Sequence, residues 1–418
     1  MGVCVLAVCR TEIAVIGAGV IGLTVAHRLA GAGREVVLVD PAEPGSGASY
    51  GNAGTVADYA VQPVGTPEVL RTLPKLLFDR NSPLAIRRAA LPALAPWLWR
   101  FARQSGQAAA RRNAGALAAL LADAAPRWRD LASEIGGGDL LQDRGCIYWY
   151  QSDRALQAAK ADLGHRRDLG VTVELLSGAE LGRLEPGLPI GEGGGAYFPQ
   201  ALFITDPGQM LARLTKAAVG RGVRVIAATA RNLRRGDGGV WVEGPGLSLH
   251  ARTVILCAGA HSRALARAAG DFVPLETERG YHLEWDGQDQ RLSRPVCPTA
   301  LGFYLCPMRG RLRVAGTVEL GGLTAPPSPQ RLALLEAGAR SVFADLPAPS
   351  RAWMGFRPSL PDSLPVLGPS RGGADVIHAF GHGHIGLTLA PVTAALVEGC
   401  VDGTTNPDML APLLAQRF

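Results

Sequence analysis

Several groups of residues in this chain are of types, and at spacings, that could do chemistry. Near the amino end, Gly17, Gly19 and Gly22 fit G-x-G-x-x-G, and Asp40 follows 18 residues after the last glycine. Near the carboxyl end, His382 and His384 alternate with Gly381, Gly383 and Gly386 in "FGHGHIGLT". Arg357 stands in "GFRPSLPD", where Pro358 and Pro361 stiffen the segment that presents its guanidinium. Tyr281 ("RGYHL") and Tyr304 ("FYLCP") lie on or beside strand-like stretches.

Each pattern has a chemical reading. Gly17 allows a tight turn, Gly19 lets backbone approach a pyrophosphate, and Gly22 lets helix and strand pack closely. The helix N-terminus then faces the phosphates, and Asp40 accepts hydrogen bonds from a ribose diol. An H-x-H pair can ligate a metal, but it needs further ligands, and no carboxylate or histidine cluster of suitable spacing accompanies it. No metal site is expected. The glycines around the histidines instead let main chain approach a planar ring, and a helix starting near Ile385 aims N–H groups and a positive dipole end at it. Pro391 costs little if it falls in the first turns of that helix, where its missing N–H has no intrahelical partner. Arginine suits a two-pronged grip on a carboxylate. An ordinary surface arginine and tyrosines packed on amphipathic strands are the plainer alternatives.

The elements that hold these residues follow from periodicity. Ile13–Ile16 is a short buried strand, Val20–Leu29 a helix broken by Gly31 and Gly33, and "EVVLVD" a second buried strand ending at Asp40. The βα rhythm then stops at "PAEPGSGASYGNAGT" and resumes only with "ARTVILCAGAHSR", Ala251–Arg263. With a single glycine fingerprint, a second nucleotide has no evident site. A dinucleotide carrying its own redox ring, FAD, fits best. "DPGQMLARLTKAAVGRGVRVI" reads as helix then strand, with Asp206 as N-cap and Pro207 in the first turn. "GCIYWY", "GYHLEW" and "LRVAGTVEL" are β-rich outside any βα rhythm. His282 points to the opposite strand face from Tyr281.

At 418 residues the chain is long enough for two domains. Its 47% hydrophobic and 19% charged residues describe a globular protein. The net charge of +6 comes without a basic block interleaved with aromatics, so nucleic acid is not an expected partner. Seven scattered cysteines without C-x-x-C argue for a reducing compartment, which points to the cytoplasm. The opening "MGVCVLAVCR" lacks a basic n-region, and no apolar run reaches the ~20 residues of a spanning helix.

"GAGVIGLTVAHRLAGAGREVVLVD", "GSGASYGNAG", "TERGYHL", "RVAGTVE", "WMGFRPSLPDSLPVLG" and "FGHGHIGLTLAP" occur here in the order found in the D-amino-acid oxidase superfamily. The chain resembles its bacterial D-amino-acid dehydrogenases and glyphosate oxidoreductase-like branch from about Ile13 to the end. The resemblance implies an α/β (mixed α+β) fold, with a Rossmann-like FAD-binding domain from 11–55, 200–265 and 350–418. Interleaved with it would be a substrate domain from 56–199 and 266–349, built on a mixed or antiparallel sheet. It implies flavin contacts at Gly383, His384, Ile385, Gly386, Leu387 and Thr388, and roles for Ser49 at the phosphates and Asn52 near the ring. Ala258 and Gly259 would pack on the cofactor and Ala230 by the adenine. Relatives with covalent flavin use a cysteine near the position of Gly355–Phe356; none stands here, so FAD is expected to be noncovalent.

The same resemblance gives Arg357 the substrate carboxylate and puts Tyr281 and Tyr304 near the reaction. The implied activity is dehydrogenation of a D-amino acid or similar amine carboxylate, D-proline or D-hydroxyproline included, by hydride transfer from Cα to flavin N5. The amine lone pair supplies the push, so no protein base is named. Quinone and O₂ stand open as acceptors; an oxygen-using oxidase of N-substituted glycines or D-amino acids is the alternative activity, and a flavin-binding protein without turnover is a further one. Pro83–Arg112 places Trp97, Trp99 and Phe101 beside six arginines. It reads either as a helical insertion packed on the substrate domain or as a peripheral contact with anionic lipid on the inner membrane face.

Overall fold

A computed structural model describes residues 9–78, 82 and 84–418; the opening residues 1–8, on which the expectation about a leader falls, and Pro83, at the head of the arginine-rich run, lie outside the described residues. The chain forms two compact units, each assembled from separated stretches. Met1–Tyr50, Gly208–Glu276 and Arg357–Phe418 make the first, and Gly51–Pro207 with Thr277–Phe356 make the second.

The first unit is built on strands whose unbroken Val/Ile/Leu runs suit burial on both faces. Cys9–Ile16 lies between Val36–Asp40 and Leu247–Leu256, parallel to both, and Arg224–Ala227 extends the parallel row beyond Val36–Asp40. The long strand Leu247–Leu256 divides its far edge. Its first half pairs antiparallel with Gly239–Gly244, and its second half pairs parallel with Gly373–Phe380. Ile13, Ala14, Val15, Val254 and Ile255 have no exposed surface. The helices Val20–Gly31 and Gly386–Asp402 are tied side to side by Arg28 and Glu398. The helix Pro207–Gly220 and strand Arg224–Ala227 follow the order their sequence implies.

The helix Gly386–Asp402 decides the condition on Pro391. Pro391 falls more than a turn inside it, not among the residues whose N–H groups lack an intrahelical acceptor. The proline therefore removes the bond that residue 391 would have donated to the Leu387 carbonyl.

The second unit holds a nine-stranded sheet. Its order is Arg351–Ser359, Glu276–Asp286, Arg311–Leu320, Phe303–Met308, Val296–Pro298, Cys146–Tyr150, Gly194–Phe198 and Glu174–Ser177, with Leu84–Ile86 also paired to Arg311–Leu320. Most pairs are antiparallel, and Val296–Pro298 runs parallel to Cys146–Tyr150. Because side chains alternate along a strand, the register sorts residues onto two faces. Ile147, Val296, Leu305, Val314 and Leu283 share one face, which packs against Leu335 and Ala339 of the helix Pro329–Val342. Tyr148, Cys297, Tyr304, Ala315 and His282 form a row across the other.

Candidate active site

The glycine turn needs glycine for steric reasons at two of its three positions. Gly17 has φ +105°, and a Cβ there would stand 2.4 Å from the Cys257 carbonyl oxygen. A Cβ on Gly22 would lie 1.8 Å from the Gly17 oxygen. At Gly19 an added Cβ would meet nothing nearer than Ser49 Oγ at 3.4 Å, so that side of the turn is open to an approaching group. Gly19 is also the N-cap of the helix Val20–Gly31, and no side chain caps it from that position. Ser49 reaches the same helix end, its Oγ accepting from the Val20 amide at 2.9 Å.

Asp40 ends its strand at this turn. Its carboxylate accepts from the Ala18 amide at 2.7 Å and the Ala42 amide at 2.8 Å, one on each oxygen. Each oxygen keeps a second lone pair, enough for a diol. Ala258 packs against Gly17, and Gly259 follows it at φ +53°. Ala230 is half-buried on the apolar core just past Ala227, the residue level with Asp40 in the neighbouring strand. These groups gather at the carboxyl ends of parallel strands, where open α/β sheets take their ligands. A helix end without a side-chain cap from its own N-cap, an open glycine approach and an oriented carboxylate fit the diphosphate and ribose of a dinucleotide.

The two histidines near the tail do different things. His382 is buried, and its Nε2 lies 2.9 Å from Thr393 Oγ1, locking the turn to the helix behind it; burial lowers its pKa to about 3. His384 is exposed on one side while protein surrounds the rest. Desolvation first, and the positive charge of Arg357 second, lower its pKa to about 4. Both rings are therefore neutral near pH 7. Among the described residues, no three of His, Cys, Asp or Glu gather as metal ligands.

In the same turn the Gly383 amide donates to the Pro358 carbonyl at 2.8 Å, and the Ile385 amide to the His382 carbonyl at 3.1 Å. Those donors hold the turn itself. Ile385 is the N-cap of the tail helix, and Gly386, Leu387 and Thr388 are its first turn. Arg357 is half-buried on the strand Arg351–Ser359, so the structure brings it and His384 together.

Tyr281 and Tyr304 are not brought together. Tyr281 faces the dry side of the sheet, where its hydroxyl donates to Glu319 Oε2 at 2.6 Å and accepts from the Ser328 amide. Arg279, with no exposed surface, holds the same carboxylate. Tyr304 lies on the opposite face, in the row that contains His282. His282 stacks on Trp353 with ring centroids 5.0 Å apart and lies 3.1 Å from the Gly51 carbonyl through Nδ1. Burial, followed by Arg313, lowers its pKa to about 4. Gly51 is pinned by the same indole: a Cβ there would stand 2.2 Å from the Trp353 ring. The Asn52 side chain accepts from the Gly54 amide at 2.8 Å, while its carbonyl receives Arg313 Nη1 at 2.6 Å.

Some groups on this face escaped the sequence reading. Glu284 is buried among Arg311, Arg313 and Arg351. Tyr59 and Tyr148 meet the Tyr304 hydroxyl, and Tyr59 donates in turn to the Cys146 sulfur. The alternation of polar residues in "HLEWD" and "RLRV" marks a polar face and was the available signal for the charged cluster.

Over residues 12–398 the chain matches the family described as FAD dependent oxidoreductase, DAO. The chain belongs to that family. Its cofactor is accordingly FAD, and the residues at the glycine turn fit it. This DAO chain is 35% identical to a D-amino-acid oxidase of Bradyrhizobium diazoefficiens, across 97% of this chain and 99% of that one. It is 29% identical to D-amino acid dehydrogenase 2 of Ralstonia nicotianae, across 97% and 100%. Among solved structures, the glycine oxidase of Geobacillus kaustophilus superimposes with a TM-score of 0.75 at 23% identity, covering 98% of this chain and 99% of that one. That last likeness bears on the fold, which the DAO chain shares over nearly its whole length.

Proposed function

We propose that this DAO-family protein dehydrogenates a D-amino acid, or a closely related amine carboxylate, at its Cα–N bond. The observation that carries this reading is Arg357, a half-buried guanidinium beside a histidine that stays neutral. His384 stays neutral beside this guanidinium, and a carboxylate is the group a guanidinium holds best. FAD, when bound, supplies the two-electron acceptor for a hydride from Cα.

The chain's own residues bind and orient. Gly17, Gly19, Gly22, Asp40 and Ser49 hold the diphosphate and ribose, Ala230, Ala258 and Gly259 the adenosine side, and Asn52 with Gly383 to Thr388 the ring. Attachment is noncovalent, since Gly355–Phe356 offers no thiol. Arg357 fixes the substrate carboxylate, and Tyr304 borders the substrate. Tyr281 acts one layer away, holding Glu319 and the start of the helix Pro329–Val342. The substrate must arrive with its amine deprotonated, because the nitrogen lone pair drives loss of the hydride. The imine product then hydrolyses in water to a 2-oxo acid and ammonia, or remains cyclic when the substrate is D-proline.

Two electron acceptors are supported by different observations. The similarity to a D-amino-acid oxidase favours O₂. Quinone is favoured by the similarity to dehydrogenases and by the helix Leu91–Gln104. That helix turns Leu94, Trp97 and Phe101 inward but exposes Leu91, Ala95, Pro96 and Trp99, the last at 59%. Arg103 lies 4.8 Å from the Trp99 ring, and residues 81–122 include six arginines and no acid. An apolar face rimmed by arginine suits the anionic cytoplasmic face of a membrane; among the described residues no helix is long and apolar enough to cross one.

The test is anaerobic mixing of the holoenzyme with D-amino acids, L-amino acids and N-substituted glycines while flavin absorbance is followed. Bleaching by D-amino acids is expected. Bleaching by none of the panel removes the proposal, and bleaching only by N-substituted glycines replaces the substrate class. Peroxide release under air then separates the O₂ reading from the quinone reading.

A further inference from the structure

The helix Pro329–Val342 buries Arg331, Leu335, Ala339 and Val342, a stripe spaced to face the sheet of the second unit. Three of these are apolar, as packing on the dry face requires. The one at the head of the stripe is an arginine with 4% exposure.

Arg331 enters surroundings already rich in positive charge. The buried Glu319 carboxylate receives Arg87 Nε on Oε1 at 3.0 Å. Its Oε2 receives Arg279 Nη1 at 2.9 Å and the Tyr281 hydroxyl at 2.6 Å. Arg87 and Arg279 also donate to the Pro326 carbonyl, and Arg279 to that of Ala325. Two arginines thus share this carboxylate before Arg331 is counted. Arg331 donates to the Ser82 carbonyl at 2.5 Å, and among the described residues no carboxylate pairs with it. Glu336, on the same helix, is paired with Arg340 at 2.9 Å. Glu278 precedes Arg279 on its strand and stands level with Leu320, so it faces the other side of the sheet. Three guanidinium groups therefore stand around one carboxylate.

The helix adds to the excess. Arg331 lies in its first turn, where there is no acidic residue, and Ser328 at the N-cap makes no side-chain cap. The Ser328 amide donates to Tyr281 Oη at 3.1 Å, which puts the positive end of the helix over the same cluster. A basic residue is unfavourable at that end, and a buried charge without an opposite partner is costly. Burial lowers the Arg331 pKa while Glu319 opposes the shift, yet an arginine keeps its proton at neutral pH. One carbonyl occupies only one of its five N–H donors. In the same cluster Arg279 Nε is buried with no hydrogen-bond partner. Negative charge is what this arrangement lacks.

We propose that Arg331 and the first turn of the helix Pro329–Val342 bind a small inorganic anion of chloride's size, which balances the cluster and fastens the start of the helix to the sheet. The tight burial of Arg279, Tyr281 and Glu319 favours a small ion over a bulky one. The residues all belong to the second unit, and the site is independent of the dehydrogenation reading. An ion that binds the folded chain and not the unfolded one acts on stability.

The test follows the thermal midpoint of the holoenzyme while chloride replaces gluconate at constant ionic strength. The wild-type midpoint is expected to rise by about 2 °C for each tenfold increase in chloride above its Kd. Arg331→Leu, which completes the apolar stripe, should flatten that rise. Arg331→Lys keeps the charge but loses the fork, and should need about tenfold more chloride for the same rise. Arg357→Ala should keep the full rise, which separates this site from the carboxylate site. A wild-type midpoint indifferent to the exchange overturns the proposal. So does a chloride requirement left unchanged in Arg331→Lys, a measurement that stands even if Arg331→Leu does not fold.

Discussion

Glu284→Gln probes the charged cluster that holds Asn52. In the native protein one carboxylate with 1% exposure receives Arg311 Nε and Arg313 Nε at 2.8 Å and Arg351 Nε at 2.9 Å. Burial alone would raise its pKa; Arg313, Arg351 and Arg311 more than reverse that and bring it from 4.5 to about 2. In the variant, Arg311 retains Asp206 and Arg351 retains Asp286, but Arg313, with no exposed surface, loses its carboxylate. Removing one partner from a buried pair costs about 3–5 kcal/mol, and glutamine's remaining carbonyl puts the expected loss near the lower figure.

The pH dependence has a definite sign. The folded-state pKa is depressed, so the stabilisation is present above the unfolded value of 4.5 and is lost as pH falls toward about 2. The depression amounts to roughly 3 kcal/mol. Urea unfolding followed by tryptophan fluorescence, repeated across acid pH, measures both quantities. The gap between wild type and variant should be about 3 kcal/mol at neutral pH and should close as pH drops from about 5 to about 2. A gap under about 1 kcal/mol at neutral pH, or one that stays constant in acid, refutes the reasoning.

Other changes read other parts of the molecule. Gly22→Ala forces a methyl to 1.8 Å from the Gly17 oxygen, so the protein should purify without flavin absorbance or not at all; a fully yellow variant contradicts the turn's role. Arg357→Ala should raise the apparent Kd for a carboxylate substrate about 100-fold, roughly 3 kcal/mol, while FAD stays bound, and unchanged reduction kinetics would remove this arginine from the site. Trp99→Ser should weaken binding to vesicles rich in anionic lipid about tenfold in a flotation assay. Wild type that fails to float at low salt would leave the exposed indole without a lipid partner.

The nucleotide half of the fold was legible because its determinants are local. Gly17, Gly22 and Asp40 act within one strand–turn–helix–strand unit, although the wall that Gly17 meets, Cys257 and Ala258, comes from far along the chain. The cost of Pro391 stayed open in the sequence because it depends on where the tail helix begins, and Gly386 sets that boundary. In the sheet of the second unit, alternation correctly set His282 and Tyr281 on opposite faces. It could not say which face is dry, since that depends on the helix Pro329–Val342, remote in sequence from most of the strands it covers. Glu284 and Arg313 sit directly opposite each other in the antiparallel register, a pairing visible only once the strand partners are known. Tyr59 and Tyr304 are 245 positions apart, and no periodicity spans that distance.

Adjacent positions in this sheet answer to separate demands. Residues 147, 296, 305 and 314 face the aliphatic layer that keeps the sheet assembled, while 148, 297, 304 and 315, each one step along, face away from it. Selection, or a laboratory library, can therefore vary the second set through four different strands while the first stays fixed. Diversification of what the protein accepts can in this way proceed without eroding the fold that carries it.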